Sequence, residues 1–168
     1  MIVNDLLIDG IERSREVCHE VLRGLTPDQA NARPGGDHNS ISWLVWHIAR
    51  EQDVQIAPLC GTPQVWTSQG WFERFDLDLP ARSMGYGHDV STAGKVVVDD
   101  TDLLLGYLDA AVDATRAYIA SVGADQFDDI VDDRWDPPVT RGVRLVSVID
   151  DAAQHAGQAA YVRGLLFG

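Results

Sequence analysis

Four segments of this chain repeat apolar residues at helical spacing over several turns each, which limits the folds open to it more than any other feature. Residues 2–24 place Val3, Leu7, Ile11, Ser14, Cys18, Val21 and Leu22 on one stripe with acidic and basic residues between them. This first helix should stop near Gly24. Thr26 then stands as an N-cap with Pro27 at the first position of a short helical turn. The Pro-Gly-Gly cluster in "NARPGGDHN" marks a loop. Asn39 or Ser40 caps a second helix through "ISWLVWHIAREQDVQIAPLCG", which Pro58 and Gly61 bring to an end. Asp100 or Thr101 opens a third, "VDDTDLLLGYLDAAVDATRAYIASVG", with Gly123 past its end, and the fourth runs from about Leu145 to Leu166.

Two long connections separate these helices. Residues 62–98 hold Trp66, Trp71, Phe72, Phe75 and Tyr86, too many aromatics to be left in solvent, so they are expected to pin the segment over the mouth of the core. The second, "ADQFDDIVDDRWDPPVTRGVRL", is broken by Pro137, Pro138 and Gly142 and has room for a short hairpin. The expected fold is all-α: a four-helix bundle with long crossovers and non-sequential packing. At 168 residues, with no repeat or composition shift, residues 1–168 are expected to form one domain.

The formal net charge of −13 argues against nucleic acid and against anionic membrane surfaces as partners. The N-terminus meets acidic residues at once, unlike a signal peptide, and no apolar run approaches the ~18 residues of a membrane span. A soluble, cytoplasmic protein is expected. Cys18 and Cys60 form no motif and read as small buried hydrophobes in a reducing compartment.

The chemistry gathers on two helices. Asp151, His155 and Gln158 stand one above another on the fourth helix, flanked by Val148, Ile149, Ala152, Ala156, Ala159, Ala160, Val162 and Leu165. Such a polar line in an apolar face is either a satisfied buried network or a site. On the second helix His47, amid Trp43, Leu44 and Ile48, lies near the core-facing stripe. The i, i+4 spacing of Asp151 and His155 lets both converge on one ion, and His47 from a facing helix would complete a three-residue set with open positions. Two imidazoles and a carboxylate suit a divalent transition metal: Zn first, with Ni, Fe or Mn also compatible. Asp151 is open to a plainer role as a solvated carboxylate near a helix N-terminus.

"NSISWLVWHIAREQD" and "DDAAQHAGQAAYVRGLL" resemble the two signature helices of the DinB/YfiT-like superfamily. The resemblance extends over nearly the whole chain through the crossover "GTPQVWTSQGWFERF" and the "GYGHD" approach to the third helix. It implies a four-helix bundle, often homodimeric, holding a divalent metal between the second and fourth helices. Many members carry H-x-x-x-H on the last helix; here Asp151 takes the first of those positions, which is similar to the acidic residue of the mycothiol-dependent isomerase branch. By that match His47, Asp151 and His155 are the ligands.

What the resemblance implies is a metal-dependent S-transferase. It would conjugate a low-molecular-weight thiol, mycothiol or bacillithiol, to an electrophilic small molecule through a metal-bound thiolate. Gln158 is expected to orient a ligand or water by hydrogen bonding. Two alternatives stand beside it. One is a metal hydrolase with activated water and Glu51, one turn from His47, as base. The other is a non-catalytic binding or stress protein whose metal site Asp151 has weakened. Thiol-dependent turnover separates the first two, and absence of bound metal favours the third. His88, on a loop, is expected in solvent, and His19 and His38 lack partners at ligand spacing. Tyr161 and Arg163 are expected to make surface pairs, with an anionic substrate or a dimer mate as the alternative. The acidic run "DQFDDIVDDRWD" lacks the ligand spacing of a Ca²⁺ loop.

Overall fold

The computed structural model describes residues 2–168. Four long helices form the bundle: α1 (Val3–Leu22), α3 (Ile41–Cys60), α7 (Thr101–Ser121) and α8 (Arg141–Phe167). Short helices α2 (Pro27–Asn31), α4 (Val65–Ser68), α5 (Trp71–Phe75) and α6 (Val90–Ala93) occupy the connections, with a 3₁₀ turn at Pro34–Gly36. A hairpin of β1 (Ile130–Asp132) and β2 (Val139–Thr140) precedes α8, paired antiparallel with an irregularity between Ile130 and Asp132. α1 and α3 each pack chiefly against α7 and α8, so the two pairs of long helices joined by α2 and by the hairpin sit diagonally. The bundle is therefore all-α with non-sequential packing. No helix among the described residues is long and apolar enough to cross a membrane.

Local chemistry sets the helix ends. The Ser40 hydroxyl accepts from the Trp43 amide at 3.0 Å, and Gly61, at φ 67°, closes α3 in the left-handed region. Asp100 accepts from Asp102 N at 2.9 Å to start α7. One expected boundary moves. α8 begins at Arg141 rather than about Leu145, because the Thr140 hydroxyl accepts from Val143 N at 3.2 Å and Gly142 enters the first turn instead of breaking it. Gly142 N also donates to Phe127 O at 2.9 Å, tying the helix start to the chain that leads into the hairpin.

The 62–98 connection is folded rather than looped. Trp66 is 2% exposed and lies against Tyr107 of α7 at 4.9 Å and Phe75 at 5.2 Å between ring centroids. Trp71 docks on α7 where Gly106 leaves room: a Cβ there would stand 2.7 Å from the indole. Tyr86 is the exception, 89% exposed and pinned to nothing. On α8 the core face is built from Val148, Ala152, Ala156 and Ala159, all buried, and these small side chains let α8 lie close to its neighbours. Ala160 and Leu165 point outward instead.

Candidate metal centre

His47 sits in the second turn of α3 and is nearly enclosed, with its ring stacked on Trp43 at 4.7 Å. Its Nδ1 is hydrogen-bonded to the carbonyl of Met84. A carbonyl only accepts, so Nδ1 carries the proton and Nε2 presents a lone pair. Burial holds the imidazole below its ordinary pKa, against opposing contributions from Met84 and Asp151, and so favours the neutral ring. Nε2 points across the α3–α8 interface to Asp151, 3.9 Å from Oδ2.

His155 repeats the pattern from α8. Its Nδ1 lies 2.8 Å from Gln158 Oε1, and its Nε2 lies 3.5 Å from Asp151 Oδ1. Its pKa is raised, first by the hydrogen bond with Asp151. The two imidazoles meet edge to face at 4.8 Å. One donor atom from each of His47, Asp151 and His155 lies within 4.8 Å of the other two.

Three features fit a divalent cation here. Both imidazoles have Nδ1 occupied by an acceptor, so each turns Nε2 toward the same space. Two bonds of about 2.1 Å from one ion leave their donors roughly 3–4 Å apart, the spacing of these pairs. And Asp151 Oδ2 is buried without a hydrogen bond. Among the described residues Trp46 Nε1, Gln52 Nε2 and Trp66 Nε1 share that condition, but only Asp151 carries an anion. An unpartnered buried carboxylate oxygen costs far more than an unpartnered N–H. Aspartate, though shorter than glutamate, reaches the cluster.

A strap that the sequence did not announce holds His47 in place. Residues 81–88 cross over α3, and Gly85 at φ 104° passes so close that a Cβ would stand 2.4 Å from His47 Nδ1. The strap is tied down by Arg50, one turn beyond Trp46 and fully buried. Arg50 donates to Ser83 O at 2.9 Å, Ala81 O at 3.2 Å, Gln64 Oε1 at 3.0 Å and Tyr107 OH at 3.1 Å. Tyr107 in turn donates to Asp53 at 2.9 Å, and Asp53 accepts from the Val65 and Trp66 amides at 2.9 and 2.8 Å. Arg50, Asp53 and Tyr107 thus anchor the 62–98 connection at residues 64–66 and 81–83. Arg50 and Asp53 stand at i, i+3 in the sequence, but nothing local to them marks the pair as buried, and most of its partners lie far along the chain.

Glu51 is half-buried beside the cluster, and its pKa is raised by burial and then by the Asp151 charge. Gln158 is exposed at the rim, touching His155 only through its amide. His88, expected in solvent, is half-buried: Trp43 Nε1 donates to its Nδ1 at 3.3 Å and Ser83 Oγ lies 2.8 Å from its Nε2. Both ring nitrogens are therefore used inside the strap. His19 pairs with Asp109 and His38 with Asp37, at 2.8 and 2.7 Å. Arg163 donates to the Glu20, Val21 and Arg23 carbonyls, closing the C-terminus of α1 where a cation is favoured, so it is not free for a substrate. Tyr161 is exposed. Cys18 is fully buried, its thiol pushed up to about 12. Cys60, expected inside, is exposed because it falls in the last turn of α3, and burial still raises its pKa.

A family model described as mycothiol-S-transferase matches residues 6–168. The crystal structure of a conserved protein from Enterococcus faecalis is similar throughout. The two are 43% identical, with a TM-score of 0.94 over 100% of this chain and 99% of that one. No curated protein matches.

Proposed function

The chain belongs to the mycothiol-S-transferase family of the DinB/YfiT-like superfamily, and from that premise we propose that it is a metal-dependent S-transferase joining a low-molecular-weight thiol to an electrophilic small molecule. The observation that carries this is the cluster itself: two imidazoles turned Nε2-inward by Met84 and Gln158, around a buried carboxylate oxygen with no other partner. His47, Asp151 and His155 would hold the ion, and two nitrogens with one oxygen suit zinc, with nickel, iron or manganese as alternatives. When bound, the ion supplies the Lewis acidity that makes a thiol a thiolate at neutral pH.

The chain's own residues do the remaining work. Met84 and Gly85 fix the tautomer and direction of His47, and Gln158 does the same for His155. To Glu51, half-buried one turn beyond His47 and with its pKa raised by burial, we assign the role of taking the thiol proton. The sulfur then forms a bond to the electrophilic carbon while the leaving group departs with the former bonding pair. The nucleophile has to come with the co-substrate: Cys18 is sealed in the core, and Cys60 has a raised pKa with no cation to activate it. Mycothiol is the thiol we assign from the family. A reducing compartment, the cytoplasm, is where such a thiol is available, and a homodimer is the assembly to look for by light scattering.

The test is elemental analysis of untagged protein beside His155→Ala, followed by a thiol-conjugation assay. Near-stoichiometric metal that vanishes in the variant, with turnover that needs the thiol, is the expected result. Wild-type protein that takes up no zinc, nickel or iron at micromolar concentration would sink the proposal and leave a binding protein with a buried Asp–His network. Glu51 beside the cluster also favours a second function, metal-assisted hydrolysis. It would be recognised by product release without added thiol.

A further inference from the structure

The cluster lies partway along the seam where α3 and α8 pack antiparallel, and the seam opens into a cavity on each side of it. Glu51, one turn beyond His47, and Ser147, one turn before Asp151, line a cleft of about 180 Å³. In the opposite direction Leu44, before His47, and Gln158, beyond His155, line a groove of about 250 Å³. Glu51 and Ser147 stand one helical turn from His47 and Asp151, and Gln158 is hydrogen-bonded to His155, so each cavity ends beside the cluster.

The two cavities differ in chemistry. The first sets Glu51, Gln55, Arg144 and Ser147 among Val139, Val143 and Val148, and the hairpin adds Trp135, 64% exposed, to its wall. Beyond the Arg144–Asp132 pair, at 2.9 Å, a further polar hollow of about 410 Å³ continues along the hairpin past Asp133 and Arg134. An exposed indole beside amide, hydroxyl, carboxylate and guanidinium groups supplies what a sugar-like ring requires: a flat apolar surface for its C–H face and partners for its hydroxyls. The groove on the other side is walled by Pro34, Leu44, Val162 and Leu165, with Tyr161 at its edge. Neither side offers an unpaired cation. Arg144 is bound to Asp132 and Gln55, Arg134 to Asp132, and His38 to Asp37.

We propose that the hairpin cleft beside Trp135 binds the hydroxyl-rich, sugar-like carrier of the thiol, and that the Tyr161–Leu165 groove admits an uncharged, apolar electrophile, so that the two substrates reach the cluster from opposite ends of the seam. This rests on the transferase function proposed above. The division gives each substrate its own selectivity determinants, and a groove whose basic side chain, His38, is already paired with Asp37 offers an anionic electrophile no partner.

Both sets of residues are exposed enough to change without disturbing the core. The experiment is steady-state conjugation by metal-loaded full-length protein, with mycothiol and 1-chloro-2,4-dinitrobenzene as substrates. Trp135→Ala should raise KM for mycothiol about tenfold, equivalent to ~1.4 kcal/mol, and leave KM for the chloroarene within about twofold. Leu165→Gln with Tyr161→Ala should do the converse. Constants that move together, exchange places or do not move would overturn the assignment. If the wild type conjugates no thiol, the transferase function fails, and calorimetric titration of mycothiol into wild type and Trp135→Ala decides the cleft by itself. Binding about tenfold weaker in the variant supports the subsite; equal binding, or none to either, removes it.

Discussion

Arg50 and Asp53 on α3 are enclosed by partners: the guanidinium donates to two backbone carbonyls, an amide and a phenol, and the carboxylate accepts two backbone amides and that same phenol's proton. One turn earlier on the same helix, His47 faces Asp151 across 3.9 Å and His155 faces it across 3.5 Å, and Asp151 Oδ2 has no hydrogen bond at all. Both clusters are polar and both lie in the bundle, but only one is complete. A satisfied buried network holds a fold together, whereas one whose donors all face a shared space is arranged for something outside the chain. The distinction comes from the partners, since burial is high for Arg50 and His47 alike.

Removing one partner from each cluster is the sharpest way to break this comparison. Asp53→Ala leaves Arg50 as a buried charge without its counterion and uncaps α4, so it should cost about 3–5 kcal/mol in urea unfolding. Asp151→Asn should cost the metal-free protein less than about 1 kcal/mol, because the amide keeps an oxygen for His155 and replaces only the Oδ2 that had no hydrogen bond to lose. The same variant should weaken zinc binding by at least about 100-fold, measured by competition with a chelating dye. Equal destabilisation by both substitutions would mean that the Asp151 cluster is structural too.

Gly85→Ala probes the link between the two clusters, since Arg50 anchors the strap and the strap holds His47. The new Cβ would meet His47 Nδ1 at 2.4 Å on a backbone that disfavours side chains, so either the ring or the strap must shift. Strain of about 1–3 kcal/mol is expected, with metal affinity falling roughly 10–100-fold as the Met84 hydrogen bond is lost. Unchanged affinity would show that the strap does not orient His47.

The sequence made one cluster legible and hid the other for the same physical reason. Asp151 and His155 lie at i, i+4 on one helix, a spacing that brings them together whatever the rest of the chain does. Ser40, Thr26, Asp100 and Gly61 likewise act within a few residues of themselves, and the helix ends they set were readable. The strap is held by backbone carbonyls of Ala81, Ser83 and Met84, which carry no sequence signature, so its role and that of Arg50 appear only in three dimensions. His88 and Cys60 were misplaced because their local sequence says nothing of what packs above them. Gly85 looked like an ordinary turn residue, and its closeness to His47 depends on a contact 38 positions away.

The smallest effect concerns the hairpin, which is neither cluster but closes one side of the seam. Asp132 accepts from Arg134 at 2.8 and 2.9 Å and from Arg144 at 2.9 Å, and these partners hold its carboxyl well below the ordinary value near 3.8. With the folded pKa depressed, its stabilisation is complete above the unfolded value and is lost as pH falls through the folded one. The hairpin should therefore stay closed at neutral pH and loosen progressively below about pH 4, which the fluorescence anisotropy of Trp135, isolated by difference against Trp135→Phe, would follow. Asp132→Asn should flatten that acid limb while leaving the metal affinity of the His47 cluster unchanged. If affinity fell as well, the hairpin would have to be counted part of the site's framework rather than the wall of an adjoining cleft.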